Sequence, residues 1–227
     1  MTRRLSTRGL SLCLSLCLSL CLSLCLSLSL ILVVSSSISL MTQTRAFAAP
    51  NIKASSKPIK RLFTAIRYQK DELALSSFDG QAQGKLIFGD LWTQKSDEER
   101  QRFVNTLHAF FTVVAFPKIR KKYFAHLETI LYGDPDTHED GSVRLRATIV
   151  VLHALKKDEI PVDFILRPAQ DKWRIVDFAI APDKDKPSSF IVDLRERQMK
   201  PLLEKKGWDG LLETMEKRVA ELKKKQK

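Results

Sequence analysis

Cysteine is missing from most of the chain, because all four cysteines, Cys13, Cys17, Cys21 and Cys25, lie in one N-terminal segment. Without them the remaining residues can form neither a disulfide nor a thiolate metal site. The sequence also has no P-loop, no Rossmann glycine pattern and no Gly-x-Ser-x-Gly elbow. These absences exclude the common nucleotide-binding and serine-hydrolase sites.

Histidine offers no recognisable metal or catalytic pattern. His108, His126, His138 and His153 are scattered, without H-E-x-x-H or another ligand spacing. The stretch DPDTHEDG, residues 134–141, holds several oxygen ligands but lacks the ligand order and distal glutamate of an EF-hand, so we interpret it as a solvated hairpin connection. Zinc-finger, recognition-helix and RNP-like patterns are missing as well, which argues against nucleic-acid binding.

Acidic residues are absent from residues 1–48, and this segment is typical of a secretory signal peptide. Residues 10–34 repeat Leu-Ser-Leu-Cys four times and end in an apolar run, with three arginines ahead of them. Ala46 and Ala48 fit the small-x-small pattern of a signal-peptidase site. We therefore predict that the signal is cut near Ala48 and Ala49 and that the mature protein is exported.

Three other interpretations of this segment stay open. Its alternation of Leu with Ser or Cys is typical of a half-buried strand, but 25 residues is far longer than strands usually are. Its apolar length also suits a retained membrane anchor, although the interleaved serines favour a signal peptide. A lipoprotein signal is the third, but a lipobox prefers a small residue before the cysteine, where this chain has Leu.

The exported portion is basic. Without the four N-terminal arginines, 34 of the 38 basic residues remain against 26 acidic ones, which gives a net charge of about +8. The densest clusters lie at residues 118–122 and 223–227. Such a surface suits nucleic acid, anionic lipid headgroups, an acidic partner or plain solvation. We predict a polar leader at 49–57, one domain at 58–221 and a basic tail at 222–227.

Helices are predicted at both ends of this domain. A three- and four-residue apolar spacing begins at Pro58 and is broken by DGQAQG, residues 79–84. Ser96 and Glu99 form a capping box that starts the next helix. Pro117 ends or kinks that helix and starts another. Two more helices follow the strands, separated by Gly207.

Between these helices the apolar period changes to two, which predicts antiparallel strands. One predicted strand carries five apolar residues on one face: Val143, Leu145, Ala147, Ile149 and Val151. The last two strands form a hairpin across PAQD whose register sets Leu166 opposite Trp173. Two further pairs follow from this register: Phe164 with Ile175 and Val162 with Asp177.

This order of elements predicts an α+β fold. An antiparallel sheet of about four strands carries helices packed on one face, and the two layers can enclose an apolar pocket. Asp177 stands among apolar neighbours on a predicted strand, and such a residue is either an acid or base with a raised pKa or a hydrogen-bonded structural carboxylate.

Several stretches resemble the MlaC family of periplasmic phospholipid-shuttle proteins, also called toluene-tolerance proteins. Residues 88–111, FGDLWTQKSDEERQRFVNTLHAFF, are similar to that family's Leu-Gly-x-x-Trp, Ser-x-x-Gln-Arg and Phe stretch. DKWRIVDFAI is similar to its Gly-Trp-Lys-Val-x-Asp-Val strand, and LRERQM to its Tyr-Arg-x-Gln-Phe helix. The chain departs from the family at Leu194 and Met199 and in the charged insertion at 181–187.

The resemblance implies a periplasmic carrier that moves phospholipid between the inner and outer membranes and so maintains lipid asymmetry, without catalysis and without a cofactor. The implied partners are an inner-membrane lipid-transport ABC complex, an outer-membrane lipoprotein-porin complex and, transiently, an anionic membrane surface. The residues expected to line the lipid site are Phe103, Leu107, Phe110, Phe111, Val114, Tyr123, Phe124, Leu127, Leu145, Ala147, Ile149, Val151, Val162, Phe164, Leu166, Trp173, Ile175, Phe190 and Leu194.

Two other functions stay open. A small α+β pocket enzyme would use Asp177, with His153, as an acid-base pair, which requires both groups to converge in one cavity. A structural or ligand-binding envelope protein would instead depend on its basic surface and on the tail at 223–227.

Overall fold

The computed structural model describes residues 51–124, 126–153, 156–180 and 189–225. These residues form a four-stranded antiparallel sheet with helices, which confirms the α+β prediction. The predicted signal peptide and the charged insertion at 181–187 lie outside the described residues. None of the helices in these ranges is long and apolar enough to cross a membrane.

Helices occupy both ends of the described chain. Those before the sheet are α1 Ile52–Arg67, α2 Asp71–Leu75, α3 Gly80–Phe88, α4 Asp90–Thr93, α5 Asp97–Phe110 and α6 Phe116–Ile119. Those after it are α7 Phe190–Leu194 and α8 Lys200–Lys224. Three π-helical segments join them: Phe111–Ala115, Arg120–Phe124 and Arg195–Met199. Helix α8 bends at Gly207, whose φ of 68° is left-handed, so the predicted break there is confirmed.

The first helix begins earlier than its apolar spacing predicts. It starts at Ile52, within the predicted polar leader, and Pro58 lies inside it. Asn51 caps it by accepting a hydrogen bond from the Ala54 N–H at 2.8 Å. Ser55 is fully buried in this added turn. The sequence prediction missed the turn because serines at core positions do not contribute to an apolar pattern.

The break predicted at residues 79–84 is wrong. Helix α3 starts there, with Asp79 as its N-cap accepting from the Ala82 N–H at 2.9 Å. Its glycines allow close packing instead of ending the helix: a Cβ at Gly84 would run into the Trp92 ring. Trp92 in turn belongs to an aromatic cluster whose ring centroids lie 4.9–6.2 Å apart: Phe88, Trp92, Phe103 and Trp208.

The capping box of α5 is confirmed. The Glu99 N–H donates to Ser96 Oγ at 3.2 Å, and the Ser96 N–H donates to the Glu99 carboxylate at 2.8 Å. Two orphan donors at the helix start are therefore satisfied by one pair of residues.

Both prolines in the later helices follow a π segment at the same offset. Pro117 comes two residues after Ala115, and Pro201 two residues after Met199. A proline ring clashes with the carbonyl four residues earlier, and a π turn bonds five residues back, as when the Phe116 N–H donates to the Phe111 carbonyl. The break predicted at Pro117 is thus a widened turn, through which the helical path continues.

The strands form a simple meander in the order β1 Leu127–Thr137, β2 Val143–His153, β3 Lys156–Ala169 and β4 Lys172–Ile180. The predicted inner face of β2 is confirmed, since its five apolar residues are all buried: Val143, Leu145, Ala147, Ile149 and Val151. Part of the stretch predicted as a hairpin connection, residues 134–137, is strand and pairs with β2.

The predicted register of the last hairpin is wrong. Leu166 pairs with Ile175, and two further pairs follow: Phe164 with Phe178 and Val162 with Ile180. The turn has two residues, Gln170 and Asp171, both with positive φ. The predicted register assumes a four-residue turn, PAQD, so the shorter turn already changes the pairing. A bulge on β4 next to Ile175 then shifts the pairing by one further residue.

Gly84 tests the close packing of α3 against Trp92. We expect Gly84→Ala to lower the free energy of unfolding by about 1–3 kcal/mol, because the added methyl group overpacks the site. Gly133→Ala is the matched control, since the nearest atoms to its new Cβ lie 3.7 Å away. Urea denaturation measures both variants, and a Gly84→Ala protein as stable as the wild type would contradict this packing.

Candidate functional site

An apolar cavity lies between the inner face of the sheet and the helices. Its empty space is about 820 Å³, a volume that includes the open solvent at its edge. The lining side chains are all apolar except for the Tyr123 hydroxyl: Leu62, Phe63, Ile66, Phe78, Phe111, Ala115, Phe116, Ile119, Tyr123, Ile149, Ile160, Val162, Phe164, Phe178, Ile180 and Phe190.

The helical wall depends on its π segments. Four lining residues recur at every fourth position: Phe111, Ala115, Ile119 and Tyr123. In a pure α-helix each four-residue step overshoots one turn by about 40°, so three steps would rotate the row well away from the cavity. A π turn holds more residues and corrects this overshoot. Because α and π segments alternate here, all four side chains reach the same cavity.

The sheet wall is built from cross-strand pairs that point to the helices. Three pairs of lining residues lie directly opposite each other: Ile149 with Ile160, Phe164 with Phe178, and Val162 with Ile180. The predicted register would have removed two of them. At the end of β4, Ile180 is 59% exposed, which places the edge of the cavity near solvent.

Aromatic rings close one side of the cavity. Phe178 and Phe190 stack with centroids 4.9 Å apart and planes 7° apart. Phe190 also contacts Phe111 at 5.6 Å, and Phe111 contacts Phe78 at 5.2 Å. This chain of rings ties β4, α7 and the first π segment together.

Asp177 acts as a structural carboxylate. Its Oδ1 accepts hydrogen bonds from the Phe178 N–H at 2.8 Å and from the Ile191 N–H at 3.0 Å, so it joins β4 to α7. Burial raises the pKa of Asp177, and hydrogen bonds from Ser189, Ile191 and Phe178 oppose that rise. The proposed partner of the enzyme hypothesis, the His153 side chain, lies outside the described part of the structure. Within the described ranges no cluster of His, Cys, Asp or Glu could hold a metal ion.

The predicted site residues fall into three groups. The cavity is lined by Phe111, Tyr123, Ile149, Val162, Phe164 and Phe190. A second cavity is lined by Leu107, Phe110 and Leu194, with Phe190 shared. Val114 is half-buried and lines neither cavity. The others lie in or against the core without lining either cavity: Phe103, Phe124, Leu127, Leu145, Ala147, Val151, Leu166, Trp173 and Ile175. Whether any of them touches lipid stays a prediction.

Ten lining residues were not among those predicted. Three of them, Leu62, Phe63 and Ile66, lie on the apolar face of α1, which the sequence does show. Phe178 and Ile180 were missed because the predicted register paired other β4 residues with Phe164 and Val162. The remainder are Phe78, Ala115, Phe116, Ile119 and Ile160.

Lysines stand beside the part of the wall that Ile119 and Tyr123 form. Lys118, Lys121 and Lys122 are exposed, and no carboxylate of the described residues lies within 4.0 Å of their ammonium groups. Lys122 Nζ lies 5.0 Å from the centroid of the Tyr123 ring. Arg120, between them, pairs with Asp71 at 2.8 Å and fixes this segment against α2.

Comparison with known proteins identifies a family. The profile described as MlaC protein matches residues 48–217. A solved phospholipid-binding protein from Ralstonia solanacearum, in complex with a phospholipid, shares the fold with a TM-score of 0.60 at 15% identity, covering 77% of this chain and 99% of that chain. An Rd1NTF2 variant matches at 17% identity over 54% of this chain and 92% of its own, with a TM-score of 0.32 that is too low to bear on the fold. No curated protein matches the sequence.

Asp177 tests the structural interpretation. Asp177→Ala leaves two backbone N–H groups without their acceptor, so we expect a loss of about 1–3 kcal/mol in the free energy of unfolding at neutral pH. Asp177→Asn keeps a side-chain oxygen that can accept and removes the buried charge. Urea denaturation of both variants separates the hydrogen bonds from the charge.

The pH dependence has a defined sign. Folding raises the pKa of Asp177 above its ordinary value of 3.8. The free energy of unfolding therefore decreases as the pH rises from 3.8 to the folded pKa, because the buried carboxyl loses its proton over this range. Asp177→Asn should not show this decrease, since its amide does not titrate. An Asn variant with the same pH profile as the wild type would refute this assignment.

Proposed function

Because the chain belongs to the MlaC family, we propose that it binds a phospholipid with its acyl chains in the apolar cavity and carries it through the periplasm. The solved relative from Ralstonia solanacearum binds a phospholipid, which supports this choice of ligand. The observation that carries the proposal is the cavity itself, whose walls come from both layers of the fold.

The energetics of lipid transfer explain why a carrier needs such a cavity. Exposing two acyl chains of about fifteen methylenes each to water would cost roughly 24 kcal/mol, at ~0.8 kcal/mol per methylene. A protein that removes a phospholipid from a bilayer must therefore cover nearly all of this hydrocarbon. A wall made of aliphatic and aromatic side chains can do so without leaving polar groups unpaired.

The same wall dictates the orientation of the lipid. Apart from the Tyr123 hydroxyl, no lining side chain offers a hydrogen bond. A phosphate drawn inside would lose its hydration without compensation. The acyl chains therefore enter the cavity, and the headgroup stays at the solvent-exposed edge.

Transport between the two membranes is the family's implied role, and we extend it to this chain. The partners would be an inner-membrane lipid-transport ABC complex and an outer-membrane lipoprotein-porin complex. The exposed lysines at 118, 121 and 122 would also attract an anionic membrane surface, by about 1 kcal/mol each within roughly 8 Å at physiological salt. Such an attraction orients a brief encounter without holding the carrier there. Carrying lipid requires no reacting group and no cofactor.

Native mass spectrometry of protein purified from cells tests the proposal directly. We expect masses that exceed the ligand-free mass by that of a phospholipid, and lipid extraction should identify it. Ligand-free protein without extractable phospholipid would refute lipid carriage.

A charge inside the cavity should abolish lipid retention. Ile149 is 9% exposed and lines the cavity, so Ile149→Glu would place a carboxylate against the acyl chains. Leu152→Glu is the matched control on the same strand, because Leu152 is 41% exposed and does not line the cavity. Circular dichroism first establishes that both variants are folded. Equal lipid retention in the two variants would show that Ile149 does not contact the ligand.

The lysines beside Tyr123 should direct membrane docking. Replacing Lys118, Lys121 and Lys122 with Ala should weaken binding to vesicles rich in phosphatidylglycerol on the order of a hundredfold at low salt, since each charge contributes about 1 kcal/mol. The control removes the same charge from the tail, at Lys223, Lys224 and Lys225. Vesicle flotation measures the binding of both variants. An equal loss of vesicle binding in the two would show that the lysines beside Tyr123 do not direct docking.

A further inference from the structure

A second apolar cavity lies on the far side of Phe190. It encloses about 660 Å³ of empty space, part of it open, between α5, the third π segment and α8. Most of its wall is aliphatic, aromatic or methionine: Leu107, Phe110, Phe190, Leu194, Met199, Leu202, Met215 and Val219. The few polar groups are Gln198, Thr214 and Arg218.

The polar groups of this wall are already engaged or exposed. Thr214 donates to the Gly210 carbonyl at 2.6 Å and accepts from Lys206 Nζ at 3.0 Å. The Arg218 side chain is 60% exposed and lies 3.5 Å from Glu221. Hydrocarbon is the chemistry that the remaining wall fits, and flexible methionines adapt well to acyl chains.

Phe190 is the one residue that lines both cavities. Its ring is held on the first side by the stack with Phe178 and by the contact with Phe111. The residue after it, Ile191, is held by Asp177, which accepts from the N–H groups of Phe178 and Ile191. One carboxylate therefore joins the backbone at both stacked residues, and the Phe190 ring stands between the two cavities that it lines.

We propose that Phe190 sets the acyl length that the protein accepts, by walling off the second cavity from the first. This inference rests on the proposed function. A chain that fills the first cavity meets the Phe190 ring, and any further methylenes must stay in water. Each methylene that moves from water into an apolar site strengthens binding roughly fourfold, so a closed partition discriminates sharply between chain lengths.

Removing the ring should therefore join the two cavities. We expect Phe190→Ala to shift the bound lipid towards longer acyl chains than the wild type carries. The assay loads each variant from an equimolar ladder of synthetic phosphatidylglycerols that differ only in acyl length, and native mass spectrometry gives the distribution. Phe63→Ala is the matched control, since it removes the same ring from the first cavity without opening the second.

A second substitution identifies where the extra length goes. Met215 lines only the second cavity, so Met215→Trp should fill that cavity and leave the wild-type distribution unchanged. Combined with Phe190→Ala, it should restore the shorter chains. Combined with Phe63→Ala, it should have no effect.

The outcomes separate this inference from the proposed function. A wild-type protein that takes up no member of the ladder refutes lipid carriage itself. A wild-type protein that loads lipid, with Phe190→Ala showing the same distribution, overturns the partition alone, as does a shift that Met215→Trp fails to reverse. If the Ala variant does not fold, Phe190→Leu must show a smaller shift in the same direction, and its absence overturns the inference equally.

Discussion

An apolar cavity in water persists only where its walls cannot close on each other. Protein interiors pack at nearly crystalline density, and each unfilled space forfeits contacts that its lining would otherwise make. Among the residues that line this cavity, the rings of Phe78, Phe111, Phe190 and Phe178 contact one another in sequence, with centroids 4.9–5.6 Å apart. Because these rigid rings connect β4 to α7 and to the first π segment, they space the sheet from the helical wall on that side of the cavity.

The prolines contribute to the same wall. In the first helical run, the π segment ahead of Pro117 removes the clash of the proline ring and also turns Phe111 and Ala115 into register with Ile119 and Tyr123. The second run repeats the arrangement ahead of Pro201, where Met199 lines the second cavity. A residue type that normally ends helices thus reshapes two of them where apolar space is needed.

The sequence predicts the parts of the fold that local rules decide. The Ser96 capping box, the left-handed Gly207 and the inner face of β2 follow from chemistry within a few residues, and the structure has all three. The errors arise where tertiary packing decides. Helix α3 was missed because its glycines pack against other elements. The β3–β4 register was missed because Gln170 has positive φ, which is unusual for glutamine, and because the sequence does not show the bulge on β4.

The cavity was predictable in kind and less so in detail. Apolar periodicity identifies which faces turn inward, yet a side chain at a cavity and one in solid core give the same pattern. Leu145 and Ile149 alternate on one face of β2, and only Ile149 lines the cavity. What separates them is how far the helix opposite stands from the sheet, a distance set by contacts between elements remote in sequence. In the proposed carrier, a wall whose one hydrogen-bonding side chain is Tyr123 would distinguish lipids by the length and volume of their hydrocarbon.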